Sequence, residues 1–243
     1  MGYIYFPGAN FLSENALIII ILGLLAFLAE IFEIEVLPQE QVSVSLALDL
    51  SAIFLGGIKL GVAVALPATF ASELIIRSLG ITIGNRDSLR RVLERVLFNT
   101  SQILISLVAA ASIYKLVGGQ RPPFPNIIDY IPTFAAFVIY VFSNLSLVSG
   151  IISLSKGKSF PYQLKYNLEK LQTQVFSIWA VSVLIAVVYE SAVWNIILIA
   201  VVLSLIHSSL RNYIKLRQQA KNTFEKIMDL LGKRDPYTHE HSE

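Results

Sequence analysis

The chain has 243 residues, of which 55% are hydrophobic and only 15% charged, with a net charge of +2 and no cysteine, and its mean hydropathy is +0.65. Soluble domains carry about 25% charged residues, so a water-soluble globular protein is excluded, as are a disulfide framework and thiolate metal sites. Apolar runs of roughly 17 to 25 residues recur without the alternation of barrel strands, which points to a helical bundle in a lipid bilayer.

Residues 1–15 contain no Lys or Arg and include Tyr3, Tyr5 and Phe6, unlike the basic start of a cleavable signal peptide. Ser13 and Asn15 are placed to cap a first helix running from Ala16 to about Ile34. Glu30, Glu33, Glu35 and Glu40 mark its exit into water. Residues 42–80 are too long for one span and are broken by Gly56-Gly57-Ile58-Lys59-Leu60-Gly61. That composition predicts two helices meeting at a glycine-rich turn. The first, over 42–55, is short and suits a re-entrant segment, which is tolerated only where its ends are buried in protein. The second carries Pro67, which predicts a kink, and Glu73 with Arg77 at helical i, i+4 spacing.

A basic stretch (Arg86, Arg90, Arg91, Arg95) opens a fourth helix that ends at Gly118-Gly119. Pro122, Pro123 and Pro125 form a stiff connector to a fifth helix over 127–154. The loop beyond it holds Lys156, Lys158, Lys165 and Lys170, and residues 162–171 read as an amphipathic segment at the interface. Two more spans cover 173–189 and 192–209. The expected fold is therefore an all-α integral membrane bundle of seven transmembrane helices over 1–209, or six if 42–55 does not cross. Lys and Arg near membrane ends stay cytoplasmic. The loop at 86–95, the loop at 156–170 and the tail after Arg211 can all face the cytoplasm together, with the N-terminus outside for seven spans and inside for six.

Residues 210–232 continue as a charged linker helix. Its better seam is Tyr213, Leu216, Ala220, Thr223, Ile227 and Leu230, the 3-4 spacing of a dimeric signalling linker, so a homodimer through 210–232 is expected. The competing reading is a solvated helix resting on its own soluble domain.

Ionisable groups inside a bilayer are costly and tend to face the protein interior. Asp49 is central in its short helix, and Glu73 can pair with Arg77. On the fourth helix Arg91, Arg95, Asn99, Gln102 and Ser106 form one polar stripe at spacings of four, four, three and four. The fifth helix offers Ser143, Asn144, Ser146 and Ser149. These residues, led by Asp49, Glu73, Arg95, Asn99, Gln102 and Asn144, are expected to converge on a pocket for a small-molecule cue or on a polar core that repacks. The plainer reading makes each an interhelical hydrogen bond of about 0.6 to 2 kcal/mol. Glu190, His207, Trp179 and Trp194 receive no special role. No HExxH, GxSxG, GxGxxG or Walker-type loop occurs, and nothing points to nucleic acid.

The last stretch, Asp235-Pro236-Tyr237-Thr238-x-x-His241-Ser242, resembles the opening of the HD-GYP domain, a family of metal-dependent phosphohydrolases that typically hydrolyse cyclic di-GMP. This chain has Glu240 where that family places Gly. Leu37-Pro38, residues 42–49, Arg95-Val96-Leu97-Phe98-Asn99 with Gln102, and Gly118-Gly119 resemble the multi-span sensor regions ahead of such domains. The resemblance implies that His241 matches the family's first metal-ligand histidine. It also implies iron- or manganese-type divalent ions for a complete HD-GYP domain, a bacterial inner-membrane location and a cytoplasmic C-terminus. A two-metal site needs several His and Asp ligands, and no His-Asp pair or Gly-Tyr-Pro loop follows, so 233–243 reads as an incomplete domain start and the chain as no enzyme by itself. A sensory module for an HD-GYP phosphodiesterase is the leading expectation. A vitamin-type importer subunit, which the glycine-broken helix pair with Asp49 resembles, and an accessory subunit of a membrane complex are the alternatives.

Overall fold

The computed structural model describes residues 9–31, 34–37, 40–42, 45–82, 89–170 and 175–234. The chain divides into two compact units, Met1–Glu33 with Ser43–Ile199, and Ile34–Val42 with Ala200–Glu243.

The first unit is helical. A short α1 (Ala9–Glu14) leads into α2 (Ala16–Ile31). Ile18, Leu22 and Ala26 of α2 are buried at four-residue intervals, while Leu17, Ile20, Leu24 and Leu28 are exposed. A helix apolar on both its buried and its exposed face is built for lipid rather than water. The same division recurs on α4 (Leu89–Leu116), where Val92, Val96 and Leu107 are buried and Leu93, Leu97 and Ile105 exposed. It recurs again on α5 (Tyr130–Lys156), with Ala136, Phe137 and Tyr140 inside and Ile131, Val138 and Phe142 outside.

At the centre lies α3 (Ser45–Thr82), which is two helices joined at Gly57, whose φ of 67° and ψ of −158° are not helical. This region of backbone space is essentially reserved for glycine. Along a straight helix Ile53 and Gly61 would stand about 12 Å apart. Here a Cβ placed on Gly61 would lie 3.1 Å from Ile53 Cγ1, so the chain turns sharply back. The glycine-rich turn expected from the sequence is thus present at Gly57. Pro67 lies within the second half, and Gly57 is where the helical backbone breaks. Ala47, Leu48, Asp49 and each residue on to Leu55 are buried, which makes the first half the core of the bundle. Residues 45–56 extend only about 18 Å, short of the roughly 30 Å of hydrocarbon, and protein surrounds them in the manner of a re-entrant segment.

Among the described residues three helices are long and apolar enough to cross a membrane: Ser45–Ser78, Arg90–Leu116 and Ile127–Lys156. Ala16–Ile31 and Ser177–Ser191 are apolar but shorter. The expected count of seven spans, or six, is therefore not met among the described residues. Apolar runs were counted as spans, yet one of them is the first half of α3, and α2 with its 16 residues is about 24 Å long. The amphipathic segment is present as α6 (Phe160–Lys170), followed by α7 (Val175–Ser191).

The second unit holds β1 (Ile34–Leu37) and β2 (Glu40–Val42), an antiparallel pair in which Ile34 faces Val42 and Glu35 faces Gln41, with an irregularity between Glu35 and Leu37. From the sequence, Glu33, Glu35 and Glu40 marked only the first helix's exit into water. Ile34-Glu35-Val36 is a short alternation of apolar and polar residues, and that was the available signal for a strand. Helix α8 (Ile196–Arg234) follows a short 3-10 turn at Val193–Asn195. On it Tyr213, Leu216, Ile227 and Leu230 are all exposed, with Lys221 and Glu225 paired at 3.8 Å.

Candidate functional site

Polar side chains of the first unit meet across helix interfaces at three levels. Toward the ends of α2 and α3 that meet, the Ser45 hydroxyl donates to Glu30. Deeper, the Tyr140 hydroxyl on α5 donates to Asp49 Oδ2 at 3.3 Å, and both residues are almost wholly buried, at 3% and 2% exposure. Glu30 is close enough to Asp49 to act on it electrostatically. Two carboxylates and two hydroxyls therefore share one low-dielectric neighbourhood around the start of α3.

The second level ties the second half of α3 to α4. Glu73 accepts from Asn99 Nδ2 at 2.6 Å through Oε1 and from Arg77 Nε at 2.6 Å through Oε2. The ion pair is compensated within one helix turn, so only a near-neutral group meets the bilayer. One turn further along α4, Gln102 Nε2 donates to Asn144 Oδ1 on α5 at 3.1 Å. Asn99 and Gln102 are three residues apart, or about 60° around the helix. They consequently face different neighbours, and the polar stripe read from the sequence serves two interfaces.

The third level lies on α5. Trp179 on α7 donates through Nε1 to Thr133 Oγ1 at 3.0 Å, with the Phe134 and Trp179 rings edge to face at 5.4 Å. Near the other end, Asn167 of α6 donates to the buried Ser149 hydroxyl at 2.9 Å. The amphipathic α6 is held to the bundle by that contact.

Of the residues singled out in the sequence, Asp49, Glu73, Asn99, Gln102 and Asn144 are thus engaged between helices. Arg91 and Arg95 are exposed at the N-terminal end of α4. His241 lies outside the described residues, and among the described residues no group of three His, Cys, Asp or Glu side chains could hold a metal ion. Sequence reasoning missed Tyr140, Glu30 and Ser45 as partners. It also set aside Trp179 and Glu190, and the latter accepts from Arg121 Nε at 2.8 Å. Partner choice across forty or ninety positions leaves no local signal. A Tyr within an otherwise apolar span was the single hint, because its hydroxyl needs a partner when buried.

A lipid-facing helical bundle with polar contacts concentrated between its helices matches one family model, MASE9, a membrane-associated sensory extracellular domain family, over residues 8–215. The chain belongs to the MASE9 family. No curated protein of established function and no solved structure matches it. The MASE9 region takes in the helical unit from residue 8 onward, the strand pair and the first part of α8. As a MASE9 protein the chain is a membrane sensory module, and the importer-subunit and accessory-subunit readings are not favoured.

Proposed function

We propose that this MASE9 chain senses a small-molecule cue in the bacterial inner membrane and passes its state through α8 to a cytoplasmic HD-GYP cyclic di-GMP phosphodiesterase domain. The chain performs no hydrolysis by itself in this reading. The family match over residues 8–215 carries the sensory part. The resemblance of 235–243 to an HD-GYP opening supports the output. Arg90, Arg91 and Arg95 at one end of α4, with Lys156, Lys158 and Lys165 around α6, support a cytoplasmic face on that side. The exposed seam of α8 (Tyr213, Leu216, Ile227, Leu230) supports pairing with the same seam of a second copy.

The bundle can act as a switch because its interhelical contacts are few, directional and replaceable: a cue must bind one arrangement better than another to shift the population. The Glu73–Asn99 and Gln102–Asn144 bonds are the contacts whose exchange would register a shift of α4. The test is a fusion of an intact HD-GYP domain after Glu243, reconstituted in liposomes, with cyclic di-GMP hydrolysis as readout. Gln102→Leu and Asn99→Leu are expected to change the basal rate several-fold. Equal rates for the parent fusion, both variants and the isolated enzyme domain would rule the coupling out.

A further inference from the structure

At the end of the bundle away from Arg90, Arg91 and Arg95, the break at Gly57 and the C-terminal turn of α4 line a half-open cavity of about 320 Å³. Lys115 and Arg91 are separated along α4 by about 36 Å, more than the hydrocarbon thickness, so this cavity and the basic end belong to opposite membrane faces. Its inner wall is aromatic: Phe54 and Tyr114 are buried and their rings lie 5.1 Å apart, tilted at 42°. Its rim is cationic. Lys115 is exposed and has no ion-pair or hydrogen-bond partner among the described residues. Arg121 also lines the cavity, and its Nε is held by Glu190 at 2.8 Å while the side chain stays 60% exposed. The glutamate thus offsets one charge, orients the guanidinium and leaves Lys115 uncompensated.

Two further features hold the shape. The Tyr114 hydroxyl donates to the carbonyl of Gln120, and the amide of Gly119 donates to the carbonyl of Tyr114 at 2.7 Å. The turn that carries Arg121 is therefore fixed to the same tyrosine that forms the wall. Opposite it, the non-helical Gly57 ends one helix and starts another, and Gly57 and Ile58 line the cavity. The first backbone amides of the new helix lack intrahelical partners and favour negative charge.

An apolar aromatic wall, one uncompensated ammonium, an oriented guanidinium and a helix start meet in a space of ligand size. We infer that this cavity binds a small organic carboxylate with an apolar or aromatic body, its anionic group at Lys115 and Arg121 and its body against Phe54 and Tyr114. That such a ligand is the cue rests on the sensory reading above; that it binds does not.

The probe is benzoate, titrated into the full chain in nanodiscs of phosphatidylcholine and followed by tryptophan fluorescence or ligand-observed NMR. A ligand of this size filling the site should show a Kd of about 10 mM or tighter. Benzyl alcohol, which keeps the ring and loses the charge, should bind at least about tenfold more weakly. Lys115→Gln should weaken benzoate by about tenfold and leave the melting temperature unchanged, since Lys115 is exposed. No benzoate binding at that concentration, equal binding of the alcohol, or equal binding by K115Q would overturn the assignment. Nanodiscs with added phosphatidylglycerol form the second arm. Displacement of benzoate by that lipid, with lipid retention lost in K115Q, would make the site one for a lipid phosphate and would also overturn it. Binding without any change in the fused hydrolase would refute the sensory coupling and leave the site standing.

Discussion

Replacing Gly57 by Ala isolates the effect of one backbone conformation. At most positions an added methyl group changes both sterics and conformational freedom. At Gly57 a Cβ would meet nothing within 4 Å, so only the φ of 67° and ψ of −158° resist the change. Strain at such sites is of the order of 1 to 3 kcal/mol. For a chain of this size that corresponds to a fall in melting temperature of about 2 to 12 °C. Gly150 supplies the control, because a Cβ there also meets nothing within 4 Å and it lies inside α5 with no positive φ; Gly150→Ala should be neutral or stabilising by up to about 1 kcal/mol. Both variants are compared by tryptophan fluorescence melts of the chain in nanodiscs. Coincident curves for Gly57→Ala and Gly150→Ala would refute the account of α3 as two helices turned at a glycine-only position.

Other expectations test the polar contacts one at a time. A double-mutant cycle on Gln102→Leu and Asn144→Leu should return a coupling of about 0.6 to 2 kcal/mol in the unfolding free energy, whereas Gln102 with Ser112 should return none. Tyr140→Phe leaves a buried side-chain oxygen of Asp49 without its donor and should destabilise by about 1 to 3 kcal/mol; Asp49→Asn retains an acceptor for the Tyr140 hydroxyl, so it should be milder. Thr100 is buried with its hydroxyl unpartnered among the described residues. Thr100→Val keeps the shape and removes the polar atom, and should raise stability by about 1 kcal/mol. The half-exposed Arg121–Glu190 pair should contribute no more than about 1 kcal/mol, less at high salt, which a melt of Glu190→Gln at low and high ionic strength will show.

The family match and the helical class agree with what composition and hydrophobic runs imply, and the turn at Gly57 was visible as a glycine cluster inside an apolar run. Asp49, Glu73, Asn99, Gln102 and Asn144 could be marked because a polar atom in hydrocarbon demands a partner wherever the chain folds. Their partners could not be named. Glu73 reaches Asn99 and Gln102 reaches Asn144 because helices of particular length and rotation meet there, and a shift of one residue would turn each side chain by about 100°. The short reach of residues 45–56 was visible in the sequence, whereas the strand pair at 34–42 and the number of spans were not, for a related reason: hydropathy registers that a segment avoids water without saying whether lipid or protein covers it.

By itself, then, the sequence determined the solvent. Its apolar runs require hydrocarbon, and Gly57 permits a backbone that no other residue enters without strain. Tertiary structure decided which apolar surface meets lipid and which meets protein, burying the first half of α3 from Ala47 to Leu55. It also decided that Phe54 and, sixty or more residues further along the chain, Tyr114, Lys115 and Arg121 line one cavity. The physical reason is that transfer from water is a property of each residue, whereas enclosure is a property of several helices at once.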